Sequence, residues 1–534
     1  MADGPGHDDD VTAMPPVRLL PQDVLARLAM ESPLFDTAVR LARWIAPRRP
    51  VTEDGVLELG DARRAVRELE LLPEAERESV LGKLSGAEEL EELDLPWSIA
   101  EELGLIDIDD DTAEPGGALT AVDRGSTEDL LELWWDAAEV VVADACLPGP
   151  EALMAAAEGD EDEEFELGAE AELLYAALEN LYLIAALEPE PDGGGPDGGG
   201  PDGGGHVGGG CVGGSHDGRH HEGGGQAVPL PVLAASMVVP DDMDSPTDEA
   251  LEEVSSLMME LDAVLQLVIG TGVVDYQPVD PALVAEDEDG TLPGESGESG
   301  EYGEEPDDAD VTRYGMVRLT PLGIYGVRRR LLATGVVAPA LGELAGARPG
   351  ELLDAMAFYP DSSARLEAQG WLEGREPLEA ARELLAACRG DEPHAPLRRL
   401  YCQQVLALLG PKGDPALREV LDDRHLGGLA RVRLVEHGAA DVPEPSEEMV
   451  FWLTVDTLAA QLADDDEELL AELVRGIPVR EQPDSFFTAA WQVDHPATAE
   501  VLEALGRLHP DRAVAKEARK AAFKARSRSG AQEE

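Results

Sequence analysis

A run of glycine divides this chain and limits what can fold around it. Residues 193–225 hold 18 of the 56 glycines of a 534-residue chain, in the repeat PDGGGPDGGGPDGGG and its continuation. Glycine has no side chain to bury and loses the most backbone entropy on ordering. The tract therefore reads as a flexible tether, with a random-coil span of roughly 30–35 Å. The tether is placed at 188–227, and a domain boundary is expected there. A second interruption lies at 285–311. Residues 286–310 contain twelve carboxylates and no Lys or Arg, interleaved with Gly and Ser, which is the composition of a disordered loop.

Charge is divided as unevenly as glycine. Residues 1–311 carry −63 and residues 312–534 carry −9, which together give the formal −72 of the chain. Such a field repels phosphates except at a locally basic patch, so a general polyanion-binding role is disfavoured. Hydrophobic residues make up 43% and aromatics only 4%, which favours helices packed through aliphatic side chains. The opening MADGPGHDDD lacks the basic and apolar regions of a secretory signal, and no stretch approaches about 18 uninterrupted apolar residues. No membrane contact is expected, and the expected compartment is the cytoplasm. Four cysteines are too few for a disulfide framework, and Cys388 and Cys402 sit inside helical patterns as buried thiols.

After a leader at 1–16, residues 17–187 alternate helical patterns with short extended ones. Helices are expected at 21–31, 33–45, 61–71, 95–102, 127–145 and 163–187. Arg49 to Leu59 reads as a β-hairpin about a Glu53-Asp54-Gly55 turn, and 105–109 and 118–122 read as two further strands. Residues 228–334 repeat the plan. A long helix runs from Ser245 to Gly270, a strand spans Gly272 to Tyr276, the acidic loop follows, then a strand at 314–320 and a helix at 321–332. From Pro339 short amphipathic helices follow one another: 349–357, 362–372, 376–388, 395–409, 414–422, 426–437, 446–463, 466–475, 484–492, 496–508 and 511–526. Residues 529–534 are a tail.

Helix, hairpin, helix is the order of a winged-helix module. The strand-to-helix passage with Leu319, Thr320 and Gly323 resembles the wing-to-helix junction of bacterial winged-helix proteins. Val405-Leu406-Ala407-Leu408-Leu409-Gly410 is echoed 96 positions later by Val501-Leu502-Glu503-Ala504-Leu505-Gly506. With the terminal HPDRAVAKEARKAAFKAR, residues 394–437 and 484–528 resemble HEAT-type repeats. The basic residues are 35 Arg to 5 Lys, and Asn180 is the single asparagine. In composition the chain is similar to uncharacterised helical proteins of high-GC actinobacteria. The expected fold is thus mostly α: two winged-helix-like units, each with a small β-hairpin, tethered in series. They lead into a HEAT-like α-solenoid over 335–528.

The chemistry is sparse. His206, Cys211, His216, His220 and His221 in the tether could gather around zinc or nickel, but their spacing matches no closed site and a glycine chain costs much entropy to order. The reading is therefore no metal and no cofactor. Asp107, Asp109 and Asp111 have the opening spacing of a calcium loop. Thr112 stands where glycine must turn and Ala118 where the bidentate glutamate belongs. No Gly-Lys-Ser/Thr phosphate loop, HExxH or Gly-x-Ser-x-Gly occurs. His495 and His509 precede prolines and suit turns or caps.

For DNA binding, a recognition helix needs cations near phosphates. The helix at 95–102 has none, and the one after Pro246 carries Asp248, Glu249, Glu252, Glu253, Glu260 and Asp262 without a base. Arg328, Arg329 and Arg330 are adjacent and point different ways around their helix. The best-supported expectation is a non-catalytic interaction or scaffold protein that binds another protein. Candidate anchors are Phe451, Trp452, Phe486, Phe487 and Trp491, with Arg328–Arg330 and the terminal cations Lys516, Arg519, Lys520 and Lys524 as charged candidates. A winged-helix transcription regulator binding DNA and an enzyme using unrecognised carboxylate chemistry are the alternatives.

Overall fold

Proline in the first turn or just before it, with apolar residues every third or fourth position, sets the first helices. Gln22–Glu31 (α1) and Pro33–Trp44 (α2) turn Leu25, Ala29, Phe35, Ala38, Leu41 and Ala42 fully inward. The computed structural model describes residues 13–84, 86–87, 90–109, 111–145, 168–187, 224–240, 243, 247–280, 312–463, 487 and 489–532. These are mostly helical with two small antiparallel sheets, and the chain divides into two compact units that meet at Ala338 and Pro339.

The first unit uses one plan twice. After α2 come strand Arg49–Pro50 (β1), helices Leu59–Glu68 (α3), Glu74–Leu81 (α4) and Glu91–Glu102 (α5), and the hairpin Ile106–Asp109 (β2) and Thr112–Pro115 (β3). Helices Leu119–Arg124 (α6), Thr127–Ala145 (α7) and Ala169–Leu187 (α8) follow. The second round runs from strand Val228–Pro229 (β4) through helices Leu230–Val238 (α9) and Asp248–Val268 (α10) to strands Val274–Gln277 (β5) and Met316–Leu319 (β6). Helix Pro321–Ala333 (α11) closes it. Both sheets have the same order, first–third–second: β1-β3-β2 and β4-β6-β5. Ile106 opposes Pro115 and Asp109 opposes Thr112; Val274 opposes Leu319 and Gln277 opposes Met316.

Two expectations for the first sheet are corrected. The hairpin at 49–59 is reduced to a Val51–Leu57 bridge around Gly55 (φ 77°), and β1 pairs with β3 instead. Residues 118–122, expected as a strand, form the cap and first turn of α6; the strand partner is Thr112–Pro115. Only Ala113 of that polar tetrapeptide is buried, so it shows no apolar alternation to read.

The junction at Leu319 has a plain geometric basis. Thr320 caps α11, accepting from Gly323 N at 3.0 Å and donating to Gly272 O at 2.6 Å. A Cβ on Gly323 would lie 2.0 Å from Val273 O, so glycine lets the helix approach the strand.

The described residues on either side of the glycine tract share one core, from Val17 to Ala338, where the sequence suggested a domain boundary. Trp134 of α7 donates to Thr271 O at 2.9 Å, and a Cβ on Gly326 of α11 would stand 2.1 Å from the Trp135 ring. α10 with the turn after it, 248–271, is long and apolar enough to cross a membrane by length and composition. It seats Leu261, Val264, Leu265 and Val268 in this core.

The second unit is a succession of short helices: Pro349–Met356 (α12), Asp361–Leu372 (α13), Pro377–Ala387 (α14), Ala395–Leu409 (α15), Asp414–Glu419 (α16), Gly427–Glu436 (α17), Glu447–Ala463 (α18), Thr498–Leu508 (α19) and Arg512–Gln532 (α20). Their apolar faces form two clusters, one from Leu352 to Leu434 and one from Trp452 to Ala525. The expected helix 466–475 and residues 484–486 and 488 of the expected helix 484–492 lie outside the described residues.

Cleavage at a protease site inserted within 193–223 is expected to leave the two fragments together on gel filtration. Gly326→Ala is expected to cost about 1–3 kcal/mol, measured by denaturant unfolding, because the methyl overlaps the Trp135 ring.

Candidate functional site

Adjacent arginines on one helix are separated by about 100°, so Arg398 and Arg399 of α15 leave it in different directions. Arg398 reaches Asp354 of α12 with Nε and Nη2 at 2.5 and 2.6 Å, at a partly exposed position. Arg399 turns inward, with 2% of its side chain exposed. Its Nε lies 3.0 and 2.9 Å from the two oxygens of Asp456, and its Nη2 lies 2.6 Å from Oδ1. Nη1 donates to the carbonyls of Cys388 and Gly390 at 3.0 and 3.1 Å. Asp456 Oδ1 also lies 3.1 Å from His495 Nε2. His495 Nδ1 accepts from Ala497 N at 3.1 Å, so the ring proton sits on Nε2 and is donated to Asp456.

Trp452 closes one side of this group. The Arg399 guanidinium is 5.1 Å from its ring centroid, His495 meets it edge-on at 4.9 Å, and His425 lies at 5.6 Å. His425 Nε2 is 3.3 Å from Asp391 Oδ1 but not aligned for a hydrogen bond. The constellation joins α15, α18 and the turn before α19. It pins the seam between the two apolar clusters of this unit.

An aspartate beside a histidine is the arrangement of a general base. Here both imidazole nitrogens are already bonded within the protein and the side chain is 1% exposed. Behind it, the Cys402 thiol is pushed up by its hydrogen bond with Cys388 and by burial, away from the thiolate that would attack a substrate. The arrangement can hold three chain segments together, and both nitrogens of the His495 ring are used in doing so. Sequence reading gave His495 and His509 turn roles, and each accepts the amide two residues on. It missed the link from His495 to Asp456, since nothing local marks residues 39 positions apart as partners.

No protein-family model, curated protein or solved structure matches this chain. The geometry of its own residues is what bears on function.

The remaining candidates divide. Trp452 and Phe487 are 5% and 4% exposed and belong to the second apolar cluster of the unit, with Phe451 and Trp491 packed against it. Trp452 and Phe487 are thus part of the core of this unit. Phe486 lies outside the described residues, as do His206, Cys211, His216, His220 and His221. Among the described residues no group of three or more His, Cys, Asp or Glu side chains is placed to hold a metal ion.

In the first unit Arg328 donates to Ala338 O at 2.8 Å, Arg329 pairs with Glu132 at 2.6 Å, and Arg330 stacks 3.4 Å from the Tyr175 ring. All three are spent on contacts within the unit. Lys516, Arg519, Lys520 and Lys524 stand exposed on α20. A groove of about 410 Å³ lies between α12, α13 and α15, lined by Met356, Asp361, Arg365, Ala368, Gln404, Ala407 and Leu408.

Asp456→Ala leaves Arg399 buried without its counter-ion and is expected to cost about 3–5 kcal/mol of unfolding free energy in chemical denaturation. Replacing both partners, with Arg399→Met and Asp456→Leu, is expected to cost less than the single change.

Proposed function

We propose that the chain is a non-catalytic interaction or scaffold protein, working in the cytoplasm, whose two units present docking surfaces to another protein. Each half of the first unit has the order helix, strand, two or more helices, hairpin, with the first strand beside the third. We read each half as winged-helix-like. The second unit we read as HEAT-like, a short-helix array with the echo at 405–410 and 501–506.

One observation carries the docking reading. In the winged-helix reading α10 is the helix that would meet the major groove. It holds Asp248, Glu249, Glu252, Glu253, Glu260 and Asp262 and no cation. Among these carboxylates Leu251, Met259 and Leu267 are exposed. Phosphates would be repelled from such a face, whereas apolar side chains ringed by charge suit a protein partner. α5, the corresponding helix of the first half, is equally without Lys or Arg.

The test is affinity purification of the full chain from the cells that make it, beside Leu251→Glu/Met259→Glu, with unfolding curves to show that the variant is folded. A stoichiometric partner lost in the variant is the expected result. Titration with duplex DNA across a salt series is expected to be flat, and saturable, salt-sensitive DNA binding would overturn the proposal in favour of a transcription regulator.

A further inference from the structure

The terminal helix α20 puts opposite chemistries on its two sides. Val514, Ala518, Ala521, Ala522 and Ala525 are buried against α19 and its neighbours. Outside that buried face Arg512, Lys516, Arg519, Phe523 and Arg526 follow one another at spacings of three and four, all exposed, with Lys520 and Lys524 alongside; Arg519 and Arg526 flank the seam with α19, where the Arg519 stem lies against Gly506. Phe523 is 69% exposed and stands between Arg519 and Arg526, one turn from each. Some of these cations are engaged: Lys520 with Glu517 at 2.6 Å, Arg526 with Glu503 at 2.5 Å, and Lys524 over the Trp491 ring at 5.7 Å. Arg512, Lys516 and Arg519 make no hydrogen bond or ion pair of 4 Å or less among the described residues. A large aromatic left in water at the centre of a cationic stripe is the pattern of an anchor ringed by charge.

We propose that this stripe binds a short acidic polypeptide segment that carries an aromatic or aliphatic residue among its carboxylates. The inference rests on the reading of the chain as an interaction protein, and it names one class of partner. From Arg512 to Arg526 the face is about 20 Å long at 1.5 Å per residue, which an extended segment of about six residues spans. Charge complementarity selects the carboxylates and Phe523 selects the apolar residue. A nucleic acid fits less well, for two reasons. Glu503 and Glu517 stand beside the stripe. The formal charge of the chain, −72, disfavours a long polyanion.

The experiment uses the full-length chain and fluorescence anisotropy with a labelled octapeptide, Glu-Glu-Tyr-Glu-Glu-Leu-Glu-Glu. A control peptide has serine in place of the tyrosine and leucine. Eight-nucleotide single-stranded RNA and phosphatidylserine vesicles are further probes. Binding of the acidic peptide at 50 mM salt is expected to weaken about tenfold or more in Lys516→Glu/Arg519→Glu. It should weaken about threefold or more in Phe523→Ala and with the control peptide. The substituted side chains are exposed, so thermal unfolding should not move.

No binding, binding unchanged in the charge-reversed variant, or tighter capture of the RNA or the vesicles would each overturn the proposal. If the peptide fails while Leu251→Glu/Met259→Glu still abolishes capture of a cellular partner, this inference falls and the interaction reading stands.

Discussion

A single buried charge group governs the second unit. Arg399, Asp456 and His495 are withdrawn from water, and the desolvation of an arginine and an aspartate is recovered only because almost every donor and acceptor among them is met. Apolar packing is tolerant of sliding, since one aliphatic side chain substitutes for another at little cost. A guanidinium held by a carboxylate and two carbonyls is not. The two apolar clusters of the unit can therefore meet in one register, with α15 and α18 fixed by the pair and the turn before α19 fixed by the imidazole. The same satisfaction that makes the group a good pin occupies both ring nitrogens of His495.

The first unit depends on close approach instead of charge. Gly323 and Gly326 let α11 settle against the backbone of Val273 and the ring of Trp135, and Trp134 finds its acceptor on Thr271. The contacts of Trp134 and Trp135 join segments before and after the glycine tract. The three arginines of α11 add polar ties to Glu132, Tyr175 and Ala338. This basic cluster is thus part of the mortar of the unit.

What could be read beforehand follows the reach of each signal. Helices of the second unit from 349 to 463 emerge within three residues of their expected ends. Prolines in the first turns of α12, α14 and α15 and glycines near helix ends act over one turn, and an amphipathic face repeats several times. β1 lay inside the expected 49–59 hairpin, whereas β4 left no mark and β3 left little, because a strand of two to four residues is too short to display an alternation. The helix expected from 61 begins two residues earlier, so Asp61 sits within α3, where it pairs with Arg49 and Arg64 at 3.3 Å. The pairing of Arg399 with Asp456, 57 positions away, is decided by tertiary packing alone. Composition marked the glycine tract, but no local pattern shows that the segments flanking it will share a core.

Joining two parts of a common core through a long glycine-rich passage has a consequence for how the gene can vary. The closure entropy of such a passage grows only with the logarithm of its length, about 0.6 kcal/mol for each doubling. The pentapeptide repeat Pro-Asp-Gly-Gly-Gly is the kind of coding sequence that expands and contracts by slippage. Alleles that differ by several copies would fold with nearly equal stability, so length in this passage is close to neutral and free to drift.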